Sequence, residues 1–90
     1  MTEPAALPTI RDALLSLATG RGTGKTFCPS EVARLIGGPH PDGWGPMMQP
    51  IRKEAIALAL DGQIVIFRKG RPVDPMDFKG VYRIGLPHLD

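Results

Sequence analysis

The stretch "DGQIVIFRKGRPVDPMDFKGVYRIGL", residues 61–86, decides how this chain folds. Its two flanks, "QIVIFRKG" and "GVYRIGL", are rich in β-branched and aromatic residues, and their pattern repeats every second residue, as a strand requires. The intervening "RKGRPVDPMDFKG" is too long for a tight turn and is rich in charge, so it reads as a long hairpin loop. A lone two-stranded hairpin is marginal in water and needs an apolar partner for one face. That partner has to come from upstream.

Immediately before the hairpin, residues 44–61 carry a helical pattern. Trp44, Met47, Met48, Ile51, Ala55 and Leu58 share one face at the 3.6-residue period. Pro50 interrupts it, so the first turn is expected to be offset or kinked. Ile56 and Leu60 make the segment apolar nearly all round, which predicts burial on more than one side. Trp44 and the two methionines are expected in the core, because so small a chain needs its large apolar groups inside. Further back, "CPSEVARLIGG" (residues 28–38) predicts a short second helix. Pro29 suits its first position, Glu31 can reach back to cap it, and Gly37-Gly38 stop it. Val32, Leu35 and Ile36 form its core-facing side. A first helix is predicted over about 10–17, capped by Thr9 with Asp12 three residues on. Its stripe is Ile10, Ala13, Leu14, Leu17 and Ala18, and Gly20 and Gly22 end it. The order is helix, helix, helix, strand, long loop, strand. The fold class is therefore α+β and mainly helical: a winged helix, three helices followed by a two-stranded β-hairpin wing packed on them.

Length and composition set the bounds. Ninety residues make one domain, with an ordered core expected over about 8–87. The hydrophobic share of 42% is that of a globular protein, and no run is long enough for a bilayer helix, so no membrane is expected as partner. The single cysteine, Cys28, cannot form an internal disulfide and suits a cytoplasmic location. The formal charge is only +2, so attraction to nucleic acid has to come from local clustering.

One run imitates a nucleotide loop. "GRGTGKT", residues 20–26, ends in Gly-Lys-Thr, but the first glycine of a phosphate-binding loop would stand at Thr19, one residue out of frame. Such a loop also leaves a strand and opens a helix, whereas here a helix precedes it. The run reads as a connector, and no cofactor is expected. His40, His88, Asp42 and Cys28 lack the spacing of a metal site, and there is no nucleophile–base pair or credible carboxylate pair. The chain is not expected to be an enzyme.

Several runs together resemble a known bacterial family, the domain of unknown function 3253. They are "PSEVAR" (29–34), Trp44, "IRKEA" (51–55), "DGQIVI" (61–66), "RKGRPVDP" (68–75) and "GVYRIGL" (80–86). The resemblance covers about residues 10–86 and implies a winged helix, in agreement with the pattern above, but no established function. An arginine is expected directly after the tryptophan; here Gly45-Pro46 follows, so no phosphate contact is assigned there.

Within a winged helix, the N-terminal part of the third helix reaches base edges and the wing tracks phosphates. The helix offers Gln49, Arg52 and Lys53, types that hydrogen-bond bases or phosphates. The wing offers Arg68, Lys69, Arg71 and Lys79, against Asp74 and Asp77. Asp74, between two prolines, reads as a turn-former, Arg34 as a surface or core-rim residue, and Arg83 as paired with an acid or solvated. Two functions stay open at this point. One is a DNA-binding protein, such as a transcriptional regulator, with duplex DNA as partner. The other is a protein-interaction or self-association module that keeps the fold without DNA; the low net charge and the apolar Ile56 and Leu60 suit it.

Overall fold

The computed structural model describes residues 9–87. Helix α1 spans Ile10–Arg21, and the Thr9 hydroxyl accepts from the Asp12 backbone N–H at 3.0 Å, so the expected cap is in place. The helix runs past Gly20 and stops at Gly22, whose φ of 86° only glycine adopts at low cost. A two-residue strand, β1 (Thr26–Phe27), follows, and then α2 (Pro29–Gly37). Glu31 closes the start of α2 by accepting from the Cys28 backbone N–H at 2.9 Å.

The third helical segment divides. A single turn, α3 (Pro41–Trp44), leads through a 3₁₀ turn (Gly45–Met47) into α4 (Met48–Leu60). Pro50 therefore falls in the first turn of α4, where a missing N–H costs nothing, and the offset it predicts is the 3₁₀ turn before it.

Strands β2 (Val65–Arg68), β3 (Arg71–Pro72) and β4 (Arg83–Gly85) complete an antiparallel sheet in the order β1-β4-β2-β3. The two predicted strands pair with each other, Ile66 opposite Ile84, as the period-two pattern implies. Two pairings were not anticipated. β1 joins the outer edge of β4, with Phe27 opposite Ile84. The long loop contains a tight two-residue turn at Lys69-Gly70, both left-handed at φ 52° and 78°, which folds β3 back onto β2. The chain then returns over residues 73–82 to β4.

The core lies between the helices and the inner face of the sheet. Leu14 of α1, Val32 of α2, Ile51 and Leu58 of α4, and Phe27, Ile66 and Ile84 of the sheet are all fully buried. Side chains alternate across a strand, so the neighbours Val65, Phe67, Arg83 and Gly85 belong to the outer face. The architecture is α+β and winged-helix-like, with three principal helices under a small sheet.

Two burial expectations need correcting. Trp44, Met47 and Met48 pack against the core but stay half-buried, because they lie on α3, the connecting turn and the first residue of α4, at the core's margin. Leu60 is 60% exposed and Leu35 58%, so neither α4 nor α2 is covered on every apolar side.

Candidate nucleic-acid interface

Gln49 and Lys53 lie one turn apart on the exposed side of α4. Arg52, on the flank, is half-buried and turned toward the wing. Its Nη2 donates to the Phe78 carbonyl at 2.8 Å, and its guanidinium lies over the Phe78 ring, 4.0 Å from the centroid. Tyr82 stands 5.8 Å from the same group and meets Phe78 edge to face, with centroids 5.2 Å apart. Phe78 and Tyr82 are both buried, so this cluster seals the loop's return path onto α4.

Arg68 performs a similar task within the wing: its Nε donates to the Val81 carbonyl at 3.0 Å. The two arginines link the candidate residues in space. Arg52 joins α4 to Phe78, Lys79 follows directly, and Arg68 ties residue 81 back to the β2–β3 turn that carries Lys69 and Arg71. Of the seven residues singled out by sequence, Arg52 and Arg68 hold the wing together. Gln49, Lys53, Lys69, Arg71 and Lys79 are exposed, and among the described residues their side chains make no hydrogen bond or ion pair.

The wing places two like charges in register. Arg68 and Arg71 face each other directly across β2 and β3, and like charges so placed repel. The nearby acids do not relieve them. Asp74 instead builds a turn, its Oδ1 accepting from the Met76 N–H at 2.9 Å and its carbonyl from the Asp77 N–H at 3.0 Å. The cations that do form ion pairs among the described residues are elsewhere: Arg11 with Glu54 and Asp61, and Arg21 with Glu31.

Glu31 is held below the usual carboxylate range, first by the Cys28 backbone N–H and then by the Arg21 guanidinium, against a contrary effect of partial burial. Burial pushes the Tyr82 phenol up to about 12, and its hydroxyl has no hydrogen-bond partner among the described residues.

Two arginines outside the cluster are also accounted for. Arg34 stacks on Trp44, 5.1 Å from its centroid. Arg83 makes no ion pair among the described residues, though its charge helps to lower Glu31: its Nε donates to the Thr26 hydroxyl at 2.7 Å and Nη2 to the Thr26 carbonyl at 3.0 Å, pinning β1 to β4. The Gly-Lys-Thr run leads into β1, so Thr26 opens a strand and not the helix a phosphate loop requires. Among the described residues no three His, Cys, Asp or Glu side chains converge to hold a metal ion, and no helix is long and apolar enough to cross a membrane.

A search of curated proteins found no match. The family model described as "Protein of unknown function (DUF3253)" does match, over residues 8–87, a span that takes in both α4 and the wing. The chain belongs to that family.

Proposed function

We propose that this protein binds duplex DNA, with the first turns of α4 in a groove and the wing on the phosphate backbone, and that it works as a small transcriptional regulator in the cytoplasm and not as an enzyme. The observation that carries this reading is the unneutralised wing. Lys69, Arg71 and Lys79 are exposed and have no acid partner among the described residues, and Arg71 is the register partner of a like charge, Arg68. A polyanion bound from outside converts that repulsion into attraction. Gln49 and Lys53 supply the groove-facing donors, and Arg52 and Arg68 position the surface.

A second reading has its own support. Leu60, at 60% exposure, continues a helix side that also bears the half-buried Ile56, and Met76 of the wing is 69% exposed. Such apolar groups suit a protein partner or self-association.

A fluorescence titration of labelled random-sequence duplex at low salt tests the first reading. Saturable binding is expected. Absence of binding at micromolar protein, together with a concentration-dependent rise in molecular mass, would transfer support to the second.

A further inference from the structure

We propose that the hollow on the outer face of the sheet is a binding site for a small aromatic carboxylate. It lies on the face away from the helices, and its volume of about 460 Å³ falls within the range of small-molecule pockets. It is bounded on one side by the loop at Gly24–Thr26 and on the other by the β2–β3 turn. It borders the wing that the DNA reading places on phosphates, but none of the seven candidate DNA-contact residues lines it.

The lining fixes the ligand's chemistry. Phe67, Pro72 and Leu86 supply apolar walls, of which the flat Phe67 ring suits a planar body. Gly85 of β4 lets these walls pack closely on one another. A Cβ at that position would stand 3.3 Å from the Phe67 ring and the Thr26 methyl and 2.9 Å from the Lys25 carbonyl. Lys25 is exposed on the rim, and among the described residues it makes no ion pair and is the only charged side chain in the lining. Arg83 adds a second positive charge close by, its guanidinium held on Thr26, a residue of the wall. Among the described residues no carboxylate lines the hollow. A ring lying on Phe67 and an acid group reaching Lys25 satisfy both ends. The Gly-Lys-Thr run, out of frame for a nucleotide, thus supplies the cation of a smaller site.

Phenylacetate is the probe, with phenylacetamide as its uncharged analogue and acetate as the anion without a ring. Backbone amide shifts of the protein alone are followed by NMR, without DNA, so the result is independent of the duplex-binding reading. Phenylacetate is expected to give saturable shifts at low millimolar concentration, centred on Gly24, Lys25, Phe67 and Gly70. Phenylacetamide should bind about fivefold more weakly, since one exposed ion pair contributes about that factor, and acetate, which keeps the charge but lacks the ring, should give no saturable shift. Lys25→Ala, an exposed change that leaves the fold intact, should abolish the difference between acid and amide. Shifts that stay linear, that centre elsewhere, or that are the same for acid and amide would overturn the proposal, as would unchanged phenylacetate binding by Lys25→Ala.

Discussion

Arg52 commits one donor to the Phe78 carbonyl and its planar face to the rings of Phe78 and Tyr82, so its removal withdraws a support from the wing. A charged hydrogen bond and a partly buried cation–π contact together lead us to expect a loss of about 2 kcal/mol in Arg52→Ala, read by urea unfolding. Arg52→Lys should not restore it, because an ammonium lacks both the face and the fork. An unmoved midpoint would mean the clamp is idle. Tyr82 beside it makes a different prediction. Its folded-state value of about 12 lies above the ordinary 10, so the fold favours the neutral phenol. The associated stability is present below pH 10 and is lost as pH climbs from 10 towards 12. As the chain has one tyrosine, the absorbance change of phenolate formation should report it directly. Tyr82→Phe, which deletes a buried hydroxyl without a partner among the described residues, should keep or raise stability by about 1 kcal/mol. A phenolate forming at the ordinary pH, or a marked loss in the phenylalanine variant, would place that hydroxyl in water or in a hydrogen bond. The flank position of Arg52 was legible from the 3.6-residue period. Its partner, 26 residues further along the chain, was not, because an interaction at that separation leaves no trace in local spacing.

At the scale of elements, the sequence showed those that repeat and missed those too short to. Helices α1, α2 and α4 and strands β2 and β4 are long enough for a period to emerge, and the Thr9 and Glu31 caps are local chemistry. β1 and β3 have two residues each, a single alternation that cannot repeat, and exist because a neighbouring edge had unpaired backbone groups to offer. The Lys69-Gly70 turn was hidden because so charged a tip resembles an extended loop. Trp44 was misplaced because its spacing continues the apolar stripe of α4 although it sits on α3, at the core's margin. The two aromatic residues should therefore rank opposite to their size. Phe27, fully buried on β1, should cost about 3–5 kcal/mol when changed to alanine, whereas half-buried Trp44 should cost about 1–2 kcal/mol. Chemical denaturation of both variants checks the order, and a larger loss for Trp44→Ala would return the tryptophan to the core.

Across the whole molecule, the net charge of +2 conceals an uneven distribution. Arg11, Arg21, Glu31 and Glu54 neutralise one another around the helices, while the exposed cations of the wing and of α4 stand unpaired among the described residues. Composition could not show this, since it depends on which acids fold next to which bases. The candidate residues were legible by type, and their division into wing supports and exposed donors emerged only with the packing of Phe78 and Val81. If the exposed set meets phosphates, binding releases counterions and affinity falls as a power of salt concentration. The most direct measurement is that slope, taken from labelled-duplex titrations across a series of salt concentrations, for the native chain and for a Lys69→Ala, Arg71→Ala double variant. Both residues are exposed, so the variant's stability should hardly change. The account predicts a steep slope that the double variant reduces by up to about two units, one for each phosphate no longer neutralised, with nearly equal weakening on every duplex sequence. A slope indifferent to the two substitutions, or no duplex binding at low salt, would contradict it.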